Sequence, residues 1–454
     1  MHAKSITGYW AVAAISLCSM PAVHAQPSSQ AGAALRAGAA RIDYTPRGAP
    51  LPGNFIGVLD PIFVRTLVLD NGSTRAALVS IDAGAIPGDL YDKVSTRAAA
   101  ELEIPASQLL MSASHTHSVP FRLDAAVEET VLQGLRDSIA RLQPARVAWG
   151  TGVSYINVNR DRIDPDTQRW WEGPNYDGPS DKTVAVVRVE TPTGAPIAVY
   201  YNYAVHGVIT GTLDMISGDI PGSTSRYIED SLGGGAVALW ASGAAGDQNP
   251  IYFHQTYALR EIRIAEYAKR GEDISNAMPP GGQGLNRNDP RVQLLMEQQK
   301  HMNETLGQML GEEVLHVMRE GLERPPNDAT LRGAQTSLSC PARQRTDAGR
   351  AGTPGTYADA GEVAIGLGAL RIGDVYIGAV NAEVYTDIAQ RLKRESPFKH
   401  TMMSTLTNGM AQTGYIPSEE AFGFNVFTVL NSRLKPGCAE AGIVSGLLEL
   451  MRGL

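Results

Sequence analysis

Apolar residues along this chain fall into short runs of strand character, separated by longer stretches with helical spacing. Residues 39–44 read as a first strand ended by the turn Thr45-Pro46-Arg47-Gly48, 62–69 and 75–81 are β-branched, apolar runs, and Asp70-Asn71-Gly72 between these two are hairpin-turn residues. Apolar positions recurring every three to four residues predict helices over 89–102 and 125–142. Further strands are predicted at 146–149, 183–189, 197–204, 236–241, 363–372 and 375–380. This alternation implies an α/β fold of mixed β-sheet layers flanked by helices. One region departs from it. Residues 255–274 and 291–322 are charged, helix-prone and rich in i,i+4 pairs, with Pro279-Pro280-Gly281-Gly282 between them. They read as a helical insertion at about 255–323, either on the outside of the fold or as a lid over a site.

Composition narrows the class. With 454 residues, 43% hydrophobic and 19% charged, the chain can bury a large core. A net charge of −8 without a dense Lys/Arg block argues against nucleic acid as a partner. Residues 1–25 have the pattern of a signal peptide: His2 and Lys4, an apolar stretch over 10–17, then Val23-His24-Ala25 before Gln26. Cys18 hints at a lipoprotein signal, although Leu17 stands where a small residue belongs. Residues 26–454 are then expected to form a single exported domain, periplasmic or secreted, without a transmembrane segment. Of the three cysteines, Cys340 and Cys438 remain after cleavage, either paired in an oxidising compartment or as two buried thiols.

The candidate chemistry centres on Ser114-His115-Thr116-His117-Ser118, just beyond the apolar run Gln108-Leu109-Leu110-Met111. In extended backbone, residues two apart share a side, so both imidazoles can face one cavity and serve a metal or move protons. A second candidate ligand, His206, ends the run Tyr201-Asn202-Tyr203-Ala204-Val205 and precedes Gly207, which permits close approach of a ligand. Trp170-Trp171 can stack on a substrate or plug the local packing. Asp82 and Asp219 can orient the histidines or cap turns.

Several stretches together resemble the neutral/alkaline, non-lysosomal ceramidase family. They are Arg41-Ile42-Asp43-Tyr44-Thr45-Pro46, Val79-Ser80-Ile81-Asp82, Ser112 through Ser118, Asn159-Arg160, and Asn202-Tyr203-Ala204-Val205-His206-Gly207. The likeness continues through Ser217-Gly218-Asp219-Ile220-Pro221-Gly222, Ala382-Glu383 and Asn408-Gly409-Met410-Ala411-Gln412-Thr413-Gly414-Tyr415-Ile416-Pro417, covering roughly 36–435. The resemblance implies one Zn2+ held by His115, His206, Glu383 and Tyr415; by its local sequence alone, Glu383 reads as the start of a helix over 383–394. The resemblance also implies an amide hydrolase in which zinc-activated water attacks a carbonyl, His117 shuttles a proton and Arg160 steadies the oxyanion. The expected substrate is a small-molecule or lipid-like N-acyl amide.

The chain also departs from the family. Where the family has a serine in Gly-Asp-x-Ser-Pro-Asn, this chain reads Gly246-Asp247-Gln248-Asn249-Pro250-Ile251, and a carboxamide cannot be an alcohol nucleophile. Asn249 is therefore read as a hydrogen-bond donor to substrate or oxyanion. Ala421, Phe422 and Phe424 stand where tyrosines are common, and no C-terminal sandwich domain is expected. Alternative readings are a zinc esterase or lactonase, and a catalytically silent ligand-binding relative.

Overall fold

The computed structural model describes residue 8 and residues 34–454, except 121–122, 124, 168–169, 276–277 and 325–328. The expected signal segment 1–25 lies outside the described residues, Gly8 apart. Three sheets carry the fold. The first is five-stranded, in the order Leu109–Ala113, Arg75–Ile81, Phe63–Asp70, Arg36–Asp43, Gln143–Pro144. The second has four strands, Val237–Ser242, Pro196–Tyr203, Thr183–Glu190 and Arg146–Val153. The third also has four, Leu331–Arg345, Tyr357–Ile372, Val375–Val380 and His400–Ser404. The hairpin at Asp70-Asn71-Gly72 forms as its turn residues predict, with Asp70 paired to Arg75.

Side-chain alternation explains the layering. Leu67, Leu69, Leu78 and Leu110 point inward and meet Val187, Tyr200 and Leu239 of the second sheet and Leu370, Ile377 and Met402 of the third in one central core. The intervening positions point outward and are covered by helices. Val64, Val68 and Val79 pack on Leu90, Val94, Leu132 and Leu135 of helices Gly88–Leu102 and Ala126–Ala140. Ile365 and Leu367 pack on Leu392, Ile443 and Leu447 of helices Thr386–Glu395 and Ala439–Arg452.

The charged helical region is integral to this scheme. Helix Pro290–Glu320 buries Leu306, Leu310 and Val314 against Val184, Val186 and Tyr201, so its apolar stripe is the outer layer of the second sheet. It starts with Pro at the first position and with Asp289 accepting from the Arg291 and Val292 amides. The shorter helix His254–Ala268 brings Tyr257 and Arg260 toward the site described below.

Each sheet contains one parallel pair joined through a crossover helix. Arg75–Ile81 pairs with Leu109–Ala113 across helix Gly88–Leu102, and Pro196–Tyr203 with Val237–Ser242 across helix Asp219–Leu232. Val375–Val380 pairs with His400–Ser404 across helix Thr386–Glu395. The carboxyl ends of these pairs meet. Ser242 Oγ donates to the Ala113 carbonyl at 2.9 Å, Thr405 N to Ser242 O at 2.8 Å and Ala113 N to Leu406 O at 3.2 Å. Ligand sites in α/β sheets form at such ends. Cys340 and Cys438 are disulfide-bonded, tying strand Leu331–Arg345 to the residue preceding the last helix. Residues Ala33–Leu454 form one compact unit, and no helix among the described residues is long and apolar enough to cross a membrane.

Candidate metal centre

Three residues leave the carboxyl ends of those parallel strands toward one point: His115 after Leu109–Ala113, His206 after Pro196–Tyr203 and Glu383 after Val375–Val380. Both imidazoles direct Nε2 at the same carboxylate oxygen, Glu383 Oε2, at 3.1 Å from His115 and 3.3 Å from His206. Their other nitrogens are occupied. His115 Nδ1 lies 2.7 Å from the Gly84 carbonyl and His206 Nδ1 lies 3.0 Å from the Gln248 carbonyl. A carbonyl only accepts, so Nδ1 carries the hydrogen and each neutral ring turns an Nε2 lone pair toward the carboxylate. Two lone pairs facing an anion call for a proton or a cation between them. The donor set therefore fits a divalent metal.

The backbone reaches this arrangement differently from the extended geometry the His-x-His spacing suggests. His115 has φ 63°, a left-handed conformation, fixed by His115 N donating to Ala83 O at 2.8 Å and His117 N donating to Gly207 O at 2.9 Å. The rings of His115 and His117 stand edge to face with centroids 4.8 Å apart. Gly207 proves necessary for a backbone contact rather than for a ligand: a Cβ there would lie 3.1 Å from both His115 O and Thr116 Cα. His115, His117 and His206 present ring nitrogens within 4.8 Å of one another, so His117 also belongs to the metal-capable group.

Glu383 is not the helix-start residue the sequence suggests. It lies in the two-residue strand Glu383–Val384, paired in parallel with Tyr415–Ile416, and the helix begins only at Thr386. The reason is register. Glu383 opposite Tyr415 puts both side chains on the same face of the pair, so Tyr415 joins the site through that bridge.

Electrostatics follow from this crowding. Burial raises the Glu383 carboxyl, but His115 and His206 outweigh it and hold the group well below its usual range. Burial and the Arg160 guanidinium push His206 down to about 4, which keeps it neutral as a ligand must be. Burial lowers His115 as well, yet Glu383 reverses the sign and raises it. His117 is the solvent-facing ring of the three, and enclosure by the surrounding walls, with His115 and His206 beside it, pushes it well below normal. Burial and Glu383 raise the Tyr415 phenol.

Arg160 is buried on strand Asn157–Ile163, with Nη2 donating to the Gly246 carbonyl at 2.7 Å and a hydrogen bond to Tyr415. Its guanidinium lies 5.4 Å from the Tyr415 ring centroid. Arg162 stands over Trp171 at 5.0 Å instead, which separates the two arginines. Asn249 sits on Gln248–Pro250 opposite Val158, and its Nδ2 donates to Glu172 Oε1 at 2.9 Å. That donor is thus committed to Glu172 and not aimed at the metal-capable group. The Tyr257 hydroxyl lies beside the same amide.

Asp82 and Asp219 hold the frame and touch neither His115 nor His206. Asp82 accepts from Phe63 N at 2.9 Å and Arg65 Nη1 at 3.1 Å. Asp219 accepts from Thr210 N at 2.8 Å and Thr210 Oγ1 at 2.5 Å, and Thr210 in turn meets Ser118 Oγ at 2.8 Å. Backbone carbonyls orient the imidazoles, a role invisible in side-chain identities. Trp170 is a packing residue, stacked on Phe427 at 5.6 Å with Nε1 donating to Asp161 at 2.7 Å, whereas Trp171 is exposed.

A cavity of about 560 Å³ opens beside Arg160, with Trp170, Trp171, Glu172 and Phe427 in its walls. Phe427 also stands 6.2 Å from the Tyr415 ring, so this cavity adjoins the site. A second cavity of about 670 Å³ lies around Asn159, Asp161, Asp247 and Tyr385, with Ala421 and Phe424 at its edge, and contains none of the metal-capable residues. Arg160 lines the first cavity, and Asn159, Asp161 and Arg162 line the second, on a strand whose register shifts between Asn159 and Asp161.

Comparison with known proteins bears on the fold. No family model matches the chain. It is 26% identical over 251 residues to neutral ceramidase B of Dictyostelium discoideum, and 26% identical over 216 residues to neutral ceramidase A of the same organism. Its backbone superposes on the crystal structure of neutral ceramidase from Pseudomonas aeruginosa with a TM-score of 0.68 at 16% identity, covering 92% of this chain and 74% of that one. A structure described as ceramidase complexed with C2 gives 0.67 at 15%, covering 92% and 75%. The chain is a divergent relative of the neutral ceramidases. The matched stretches take in 46% and 40% of this chain and span only 34% and 30% of the two Dictyostelium ceramidases.

Proposed function

We propose that this protein is an exported, metal-dependent hydrolase that cleaves an N-acyl amide bond. The observation that carries the reading is the pair of Nδ1-anchored imidazoles aimed at one oxygen of Glu383 on a neutral ceramidase fold. His115, His206 and Glu383 would hold the cation, with Tyr415 completing the set. A divalent ion there, zinc on this donor set, supplies Lewis acidity toward the carbonyl and toward water.

The chain's own groups perform the remaining work. Arg160, fixed by Gly246 and next to Tyr415, would donate to the oxygen that gains charge as the carbonyl becomes tetrahedral. His117 is neutral at ordinary pH and solvent-facing, so Nε2 accepts the proton of the attacking water and returns it to the leaving nitrogen. Asn249 acts at one remove, holding Glu172 on the wall of the adjoining cavity. Export is supported by the 1–25 sequence pattern and by the Cys340–Cys438 disulfide, which persists in oxidising compartments.

The test is turnover on matched N-acyl amides and esters of one chain length, with and without a chelator. Chelator-sensitive release of the amine is expected. Cleavage of the esters alone would replace this reading with an esterase, and turnover untouched by chelation would exclude the metal.

A further inference from the structure

The cavity beside Arg160 has a composition that cleavage of an uncharged amide does not require. Four arginines line it, Arg160, Arg260, Arg345 and Arg350, against Glu172 as the carboxylate among its lining residues. This inverts the sign of a chain whose net charge is −8. Arg345 is neutralised by Asp347 at 2.5 Å, and Arg160 belongs to the site already described. Arg260 and Arg350 remain, and both converge on Ser275: Arg350 Nη2 donates to Ser275 Oγ at 2.9 Å and Arg260 Nη2 to Ser275 O at 3.3 Å.

Neither Ser275 atom carries charge, although Ser275 Oγ itself donates to Asp273 Oδ1 at 2.6 Å, and Arg260 has one long ion pair, to Glu172 Oε2. Glu172 approaches Arg260 no closer than 3.5 Å, and its other oxygen is taken by Asn249. Asp273, held below its usual range first by hydrogen bonds from the Ser275 hydroxyl and amide and only then by the Arg350 charge, is exposed. Guanidinium forks match carboxylates and other oxyanions two bonds at a time, and here Arg260 is half-buried while Arg350 stands exposed at the mouth. The opposite wall is apolar: Trp170 stacked on Phe427, with Leu430 and Met278. This wall reaches the metal-capable site, because Phe427 adjoins Tyr415.

We propose that this cavity selects amphipathic N-acyl amides that carry an anionic group, lying against Trp170 and Phe427 and binding the anion through Arg260 and Arg350. The proposal rests on the amide-hydrolase reading for its reaction, but not for its binding site. The anion can be a carboxylate, sulfonate or phosphate, which the guanidinium pair recognises alike.

Two measurements separate the parts. In the first, kcat/KM is compared for an N-acylglycine, an N-acyltaurine and an N-acylethanolamine of the same acyl chain. The expected result is a preference of about tenfold or more for an anionic member at low salt, shrinking as salt rises. The carboxylate and sulfonate arms identify the favoured anion, and Arg260→Gln and Arg350→Gln are each expected to lower the anionic-to-neutral ratio about tenfold. In the second, binding of octyl phosphate and octanol, which contain no amide, is measured by calorimetry on wild-type and Arg350→Gln protein. Tighter binding of the phosphate, weakened by the substitution, supports the anion site even if no amide is cleaved, and in that case overturns the hydrolase reading alone. Equal binding of phosphate and alcohol, or an anionic-to-neutral ratio unmoved by both substitutions, overturns the proposal.

Discussion

His115 and Gly207 show how few atoms set this site. Changing Gly207 to Ala puts a methyl 3.1 Å from the His115 carbonyl oxygen and the Thr116 Cα, against backbone that cannot rotate aside. A loss of about 1–3 kcal/mol is expected, with weakened metal affinity, measurable as a lower denaturation midpoint and a higher chelator sensitivity. Arg160→Gln keeps a polar side chain but removes the charge that faces Tyr415, and kcat is expected to fall about 10²–10³-fold with KM changing far less. A proportional rise in KM with kcat intact would make Arg160 a binding group instead. The histidines were legible because ligand-capable residues stand out beside apolar runs. Glu383, Tyr415 and Arg160 became legible only through family resemblance, since an acid, a phenol and a guanidinium on three distant segments carry no spacing signal. The Gly84 and Gln248 carbonyls, which fix both tautomers, have no signature in the sequence.

At the level of elements, the strands with alternating or continuous apolar runs were predictable, and three crossover units explain why their ends share one site. The conspicuous miss is Glu383–Val384, where pairing with Tyr415–Ile416 overrides a helix-like pattern. Short strands such as Gln248–Pro250 also escape sequence reading, because partners far along the chain define them. Helix packing gives a separate test. Gly311 of helix Pro290–Glu320 leaves room for Tyr227 of helix Asp219–Leu232, where a Cβ would stand 2.6 Å from the ring. Gly311→Ala is expected to destabilise by about 1–3 kcal/mol with catalytic constants nearly unchanged, read from urea unfolding alongside turnover. Loss of activity without loss of stability would give that helix a different role.

For the molecule as a whole, pH and redox state are the accessible levers. Asp247 is buried between the second cavity and the helix Thr386–Glu395, accepting from Thr386 N at 3.0 Å and Asn159 Nδ2 at 3.0 Å. Burial, with Asp161 nearby, raises its pKa to about 8. The folded protein then binds a proton that the unfolded chain releases near its ordinary value, so this group's contribution to stability falls as pH rises from about 4 to 8. Asp247→Asn is expected to flatten that slope, checked by comparing unfolding midpoints at pH 5 and pH 8. The disulfide spans 98 positions, and replacing Cys438 with Ser is expected to cost about 2–4 kcal/mol. The most direct test of the central claim is the metal content of purified protein, wild type against His115→Ala and His206→Ala. About one divalent ion per chain in the wild type, lost in both variants while they remain folded, is predicted. Full occupancy in either variant, or none in the wild type after incubation with zinc, would contradict the assignment of His115, His206 and Glu383 as a metal centre.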